Sequence, residues 1–342
     1  MGPVDPEKPV PSVAVRVADR EFFATVGVIV AGIALLFVLP FFLSDFLQLL
    51  MTKFLIFAIF GMAYNLVYGY VGMLSLGHGA FFGMVAYTAG LLTLHTHITS
   101  LWVALPLAIV AATVGAAVLA FLFLRVTGTY FLLITFGLSQ LLLAVTWNIK
   151  WFSAPGMQGI ADIKFPTIGV SGFTWTQRSF YFLTLVFFII CYFLISRIVN
   201  SPFGHALVGV RENEGRMKAL GYNVWAFRYT ALVVSGAFCG LAGLLFAYNG
   251  SFVYPNHIGF DYSWIPMLLV ILGGAGTKLG PIVGAGIVVW LEYFISLVTA
   301  QRWPLILCAL FIAVIMYFRG GVVAYVNRLF ERSGGKNERA AS

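Results

Sequence analysis

The 342-residue chain is 61% hydrophobic and 9% charged, with a mean hydropathy of +0.97; soluble globular domains carry about 25% charge and about 45–50% apolar residues. Composition therefore excludes a soluble enzyme or binding module and points to a bilayer. The formal net charge of +8 reads as the Lys/Arg excess of cytoplasmic loops rather than as a nucleic-acid footprint.

In chain order, residues 1–21 read as a cytoplasmic tail rich in Pro, Val and charge. The apolar run at 22–43 is too long for a signal-peptide core and has no small-residue cleavage site after it, so it is a retained first span. Residues 22–318 form one transmembrane domain, and 319–342 a second cytoplasmic tail. Runs close to the ~20 residues needed to cross a bilayer predict spans at 22–43, 54–70, 79–98, 102–124, 129–147, 180–198, 228–249, 263–277, 279–300 and 303–318. With both termini inside, cytoplasmic segments hold 15 Lys and Arg against 5 outside, Lys53 among the latter. This orientation fits a multi-pass membrane protein with both ends on the cytoplasmic side. Only Lys278 separates the eighth and ninth spans, so that pair also reads as a re-entrant hairpin. The fold class is an all-α polytopic membrane protein of 8–10 transmembrane helices, some glycine-interrupted. The outside segment 149–179 reads as a small cap or docking surface.

Two glycine-rich stretches interrupt the apolar runs: GYVGMLSLGHGAFFG at 69–83 and LGGAGTKLGPIVGAG at 272–286. Broken backbone at membrane depth survives only against protein or a water-filled cavity. Paired interruptions in the two halves of a chain point to a transport path; the simpler use of glycine is close helix packing. The first stretch holds Gly72, Ser75, Gly77, His78 and Gly79, and the second Gly273, Gly274 and Gly276. His78, ionisable at depth, is either a functional group or a neutral imidazole bracing the break; the need of the freed backbone for partners favours the brace.

Other chemistry is sparse. Cys191, Cys239 and Cys308 lie in apolar runs without CxxC spacing and read as buried thiols. The pair His95 and His97 has no Cys, Asp or Glu beside it and does not make a metal site. Glu292 is the sole carboxylate at plausible depth, too little for a proton relay. No catalytic constellation appears, and no cofactor or metal is called for. GGAGTKLG lacks the context of a phosphate-binding P-loop, so any ATP-driven motor is a separate subunit.

The inside loop at 200–227 holds the densest charge. Ser201 followed by Pro202 predicts a helix start. Glu212 four before Arg216 and Glu214 four before Lys218 predict supporting ion pairs. Val210, Met217 and Leu220 recur at helical spacing, and Gly221 suits the stop. The mixed charge favours an amphipathic knob for a cytosolic partner over a headgroup-bound helix.

These stretches carry a resemblance. NLVYGYVGMLSLGHGAFFGMVAYTAGLL at 65–92, GTYFLLITFGLSQ at 128–140, SPFGHALVGVRENEGRMKALGYNV at 201–224 and VILGGAGTKLGPIVGAG at 270–286 together resemble the LivM-type permeases of branched-chain amino acid ABC importers. The resemblance implies a permease subunit paired with a second permease as hetero- or homodimer. It further implies two cytosolic ATP-binding subunits, a periplasmic solute-binding protein and alternating access. In that picture Arg211, Glu212, Asn213, Glu214, Arg216, Met217, Leu220 and Gly221 form the ATPase-coupling helix. Asn65, Ser75, His78, Thr135, Gln140 and Asn249 lie near the path with the glycines of both breaks, where half-helix N-termini favour a carboxylate. The family's polar GGTDG-like stretch is replaced by SAPGMQGI at 153–160, which leaves the cargo open among branched-chain amino acids and related small polar or carboxylate solutes. The alternative is an ATP-independent channel or secondary carrier for a small solute such as urea or an amide.

Overall fold

The computed structural model describes residues 32, 34–96, 100–126, 128–149, 159–166, 175–298, 306, 309, 316, 321 and 322. Contacts divide the chain into two units, Met1–Gln48 and Leu49–Ser342. In the first, a 3-10 turn at Leu39–Phe41 buries Pro40. The Gln48 amide ties that turn down, donating to the carbonyls of Pro40 and Leu43, each at 3.0 Å.

The second unit is built from helices. They are α1 Asp45–Asn65, which enters it from Leu49, α2 His78–Leu91, α3 Leu101–Phe123, α4 Thr129–Asn148, α5 Gln177–Val199, α6 Pro202–Glu212, α7 Glu214–Ala219, α8 Val224–Gly250, α9 Phe260–Gly273 and α10 Gly280–Val298. Strands β1 Ile160–Ala161 and β2 Phe252–Val253 pair antiparallel, Ile160 opposite Val253 and Ala161 opposite Phe252. Ile160 is buried, and a Cβ on Gly90 would lie 2.9 Å from its Cδ1. This part of the segment 149–179 is thereby tied to α2 and to the end of α8.

The 27-residue α8 is the central helix. Asn223 caps its start by accepting the Ala226 N–H at 3.2 Å. One face is small: Ala231, Ser235, Gly236, Cys239, Gly240, Gly243 and Ala247 are buried. Across from it, α3 presents a ladder of buried alanines at 104, 108, 112, 116 and 120. A Cβ on Gly236 would collide with Ala116, one on Gly240 with Ala112, and one on Gly243 with the Phe82 carbonyl of α2. Lipid supplies no hydrophobic drive between helices, so this closeness, and the dispersion contacts it allows, holds the three together. The outer face of α3 carries Val103, Val110, Val114 and Val118, all exposed and apolar, as a lipid-facing surface requires.

Six described helices are long and apolar enough to cross a membrane: Asp45–Val71, Leu101–Phe123, Thr129–Asn148, Gln177–Val199, Val224–Gly250 and Gly280–Leu297. The chain is an all-α, polytopic membrane protein. Only 32 and 34–43 of the expected first span are described, and the expected last span at 303–318, with Cys308, lies outside the described residues apart from 306, 309 and 316. The expected tails at 1–21 and 319–342, His97 and most of SAPGMQGI also lie outside them, Gly321 and Val322 excepted. The expected spans at 79–98 and 263–277 take a different form. α2 continues as a π-helix over Leu92–Thr96, and α9 stops after 14 residues at Gly273. At about 1.5 Å per residue α9 rises about 21 Å, short of a ~30 Å hydrocarbon core. The expected start at 54 was late: Lys53 lies inside α1, not in an outside loop, and its ammonium holds both Glu292 oxygens at 2.7 and 2.8 Å. Cys191 and Cys239 are buried free thiols.

Candidate functional site

The first interruption begins where α1 widens into a π-helix over Leu66–Val71. Gly72 ends it at φ 81°, a left-handed conformation suited to glycine, and returns its N–H to the Val67 carbonyl. Residues 73–77 then run without helix until α2 starts at His78. Neighbouring side chains take up the freed backbone groups. The Tyr64 hydroxyl donates to the Ser75 carbonyl at 3.1 Å. The Leu76 N–H donates to Thr135 Oγ1 at 3.1 Å, and Ser139 Oγ, whose shorter bond is to the Phe136 carbonyl at 2.8 Å, lies 3.4 Å from the Leu76 carbonyl. The Gly79 N–H donates to Ser263 Oγ at 3.1 Å. The break is thus held from α1, α4 and α9 together.

His78 is fully buried inside this frame. Its Nδ1 lies 3.1 Å from Ser75 Oγ and its Nε2 3.1 Å from Ser235 Oγ. Ser235 spends its proton on the Ala63 carbonyl at 2.6 Å, so it accepts from Nε2–H. Ser75 accepts the Gly77 N–H at 3.2 Å and donates to Nδ1. The bonds therefore form one directed chain, Gly77 to Ser75 to His78 to Ser235 to Ala63, and assign a neutral imidazole protonated on Nε2. Tyr64 and Phe81 flank the ring edge-on at 4.7 and 5.4 Å.

The second interruption separates α9 from α10. Gly274 and Gly276 adopt φ 123° and 77°, and Thr277 Oγ1 donates to the Gly274 carbonyl at 2.8 Å while accepting the Gly280 N–H at 3.0 Å. Asn65, the last residue of α1, reaches across to it. Its amide donates to the Thr277 carbonyl at 2.9 Å, and its oxygen accepts the Gly276 N–H at 2.9 Å. The end of one broken helix therefore grips the main chain of the other.

The inside loop forms two helices, not one. Ser201 caps α6 through the Gly204 N–H, but the helix stops at Glu212, and Asn213 starts α7 by accepting the Arg216 N–H at 2.9 Å. This restart separates Glu212 from Arg216, and the ion pair expected between them does not form among the described contacts. Glu214 bonds Lys218 at 2.8 Å, as its spacing predicts, and also Arg228 at 2.7 Å; Lys218, then Arg228, hold its carboxyl below the ordinary 4.5. Gly221 closes α7 at φ 85°, with Gly221 N–H on the Lys218 carbonyl and Tyr222 N–H on the Met217 carbonyl, a Schellman stop. Leu207 packs with Leu66, Tyr70 and Val71 of the π-helix. Met217 is buried with Ala206, Val210 and Val224, so it seats the knob rather than facing a partner. Leu220 and Tyr222, 67% and 43% exposed, face outward with Arg216 and Lys218. Between knob and first break lies a cavity of about 650 Å³, reached by Met73, Thr129, Arg211, Glu214 and Arg228.

Of the candidate path residues, Asn65, Ser75, Gly77, His78, Gly79, Thr135, Gly273, Gly274 and Gly276 gather at the two breaks. Ser75, His78 and Thr135 are fully buried and spend their polar atoms on the protein. Gln140 lies one turn further along α4, half-buried, without a hydrogen-bond partner among the described residues. Asn249 stands apart, accepting the Gln177 amide at 3.1 Å. Sequence reasoning missed Tyr64, Ser139, Ser235, Ser263 and Thr277. The first four are hydroxyls within apolar helices, which at membrane depth need partners; Thr277 lies in the second break itself.

The family profile described as "Branched-chain amino acid transport system / permease component" matches residues 46–318. The chain belongs to this family. It is 30% identical over 279 residues to "High-affinity branched-chain amino acid transport system permease protein LivM" of Escherichia coli (strain K12), covering 75% of this chain and 65% of the relative. Identity to the protein of the same description in Salmonella typhimurium is 30% over 260 residues, 70% of this chain and 61% of the relative. The chain thus spans just under two thirds of these LivM relatives. "Autoinducer 2 import system permease protein LsrC" of Escherichia coli (strain K12 / DH10B) is 23% identical over 162 residues, 46% of this chain and 41% of the relative. No solved structure matches the chain. The family is one of transport permeases rather than a class of enzymes, and a permease component belongs to a system of several components.

Proposed function

We propose that this chain is the membrane permease subunit of an ATP-driven importer for branched-chain amino acids or a related small polar or carboxylate solute. It works by alternating access in a bacterial inner membrane, with both termini cytoplasmic. It pairs with a second permease, is driven by two cytosolic ATP-binding subunits and receives cargo from a periplasmic solute-binding protein. LivM relatives support the amino-acid cargo, and the LsrC relative keeps a different small solute in view.

The observation that carries this reading is the two-sided knob. One side, through Leu207, is packed on the π-helical end of the first break. The other presents Arg216, Lys218, Leu220 and Tyr222 to solvent. A partner that moves the outer side must move the inner one, because the apolar contact leaves no slack. The path runs past the breaks at Ser75–Gly79 and Gly273–Gly276, with Gln140 the polar group free to meet cargo.

The test is co-purification from the native operon followed by transport in proteoliposomes. ATPase subunits recovered with the chain, and uptake that needs ATP and the secreted binding protein, are the expected result. Uptake by the chain alone without nucleotide establishes the channel or carrier alternative and overturns the proposal. Exchanging Lys218 and Leu220 for Asp on the outward side is expected to release the ATPase while leaving membrane insertion intact.

A further inference from the structure

Arg211 does something other than face a partner. It stands in the last turn of α6, two residues before Asn213 starts α7, and its Nη1 donates to the Gly69 carbonyl of the π-helix. A Cβ on Gly72 would lie 2.9 Å from its Cγ, and a Cβ on Gly276 would lie 3.1 Å from its Nη1. Three glycines from the two breaks therefore form a sleeve around one arginine, open on its remaining side to the 650 Å³ cavity. Gly69 and Gly72 belong to the first break and Gly276 to the second.

Resting on the permease reading above, we infer that Arg211 is the pin that closes the cytosolic end of the path by bonding the first break while lying against the second, and that movement of the knob withdraws it. The chemistry suits the place. A guanidinium stays charged at any working pH and presents several donors in a fixed fork, so it can hold a main-chain carbonyl firmly. Hydrogen bonds from charged donors are about twice as strong as neutral ones. The cavity hydrates the rest of the group, removing the cost of an ion in a dry interior. The lever is short: Asn213, two residues on, begins the helix whose outer side faces the partner. A shift of α7 passes directly to Arg211, and its withdrawal frees the Gly69 carbonyl and empties the space beside Gly276 at once.

The test uses Leu74→Cys, at the cavity wall, in the full chain with its ATPase in proteoliposomes. An impermeant maleimide is supplied on the knob side, with the chain lacking Leu74→Cys as blank. Arg211→Ala is expected to keep the ATPase bound, abolish ATP-dependent uptake, and raise the labelling rate by about tenfold or more, the size set by losing one charge-assisted hydrogen bond. Arg211→Lys, which restores a donor but not the fork, is expected to fall between. Release of the ATPase by Arg211→Ala places the side chain in the partner groove and overturns the pin. So does unchanged labelling in both variants. If wild type binds no ATPase, the importer reading fails instead, and the labelling comparison, which needs the permease alone, still decides for or against the pin.

Discussion

Replacing Asn65 by Ala removes the side-chain clamp between the end of α1 and the second break. Asn65 is 3% exposed, and its amide satisfies two main-chain groups, the Gly276 N–H and the Thr277 carbonyl. A buried group left unsatisfied costs about 1–3 kcal/mol, so two orphans give about 2–6 kcal/mol. Polar contacts inside membrane proteins average nearer 0.6 kcal/mol each, or about 1.2 for the two. Gly276 and Thr277 are half-buried and gain some water on truncation, which moves the expectation to about 2 kcal/mol, the low end of the first figure. Asn65→Asp tests the direction: it keeps the acceptor for Gly276, loses the donor for Thr277, and is expected to match or exceed the loss in Ala because it buries a charge. Denaturant titration in detergent, followed by Trp fluorescence, reads the stability, and uptake in proteoliposomes the function. Asn65→Ala within about 0.5 kcal/mol of wild type, the scatter of ordinary surface substitutions, together with unchanged uptake, would refute the clamp.

His78→Leu removes the link between Ser75 and Ser235 and leaves the Ser75 O–H without its acceptor, while Ser235 keeps the Ala63 carbonyl; a loss of about 2–3 kcal/mol is expected, with Ser235→Ala costing no less because it leaves both the Nε2–H and the Ala63 carbonyl unmet. Thermal unfolding of the two variants in detergent checks the order. For the Lys53–Glu292 pair, with side chains 23% and 25% exposed, either single replacement by a neutral isostere is expected to destabilise more than Lys53→Met with Glu292→Leu together, since one remaining charge costs more than a clean apolar pair; a double variant worse than both singles would contradict this. The Glu214 carboxyl has its folded pKa depressed below 4.5. Its contribution is therefore present above the unfolded value and lost as pH falls through the folded one, so the knob is expected to loosen in acid below pH 4.5, and Glu214→Gln to remove that step. Hydrogen exchange on α6 and α7 across pH 3–6 reads it.

The long spans were legible because composition alone forces them: α3, α4, α5 and α8 follow apolar runs bounded by Ser, Gly or charge. The ends were harder. α1 starts at Asp45, before Lys53, because that lysine finds Glu292 from α10, 239 residues away, and no local pattern announces such a pair. The single helix expected over the inside loop divides at Asn213, whose side chain favours a cap over a helix interior. Both breaks were visible from their glycines, yet glycine density did not separate two uses of the residue. Gly236, Gly240 and Gly243 admit neighbouring helices, whereas Gly72 and Gly276 turn the backbone through positive φ. The hydroxyls that serve the breaks were missed because Ser139, Ser235 and Ser263 each sit alone in an apolar run, and what they serve lies on a different helix.

The grip of Asn65 on the second break has a consequence for the way this joint is inherited. It touches only main-chain atoms of Gly276 and Thr277, which every amino acid but proline supplies in the same form. Drift in the side chain at 277 need not be answered by a change at 65, so this contact leaves no paired-substitution signature. Methods that infer neighbours from correlated mutations will pass over this joint between the two breaks.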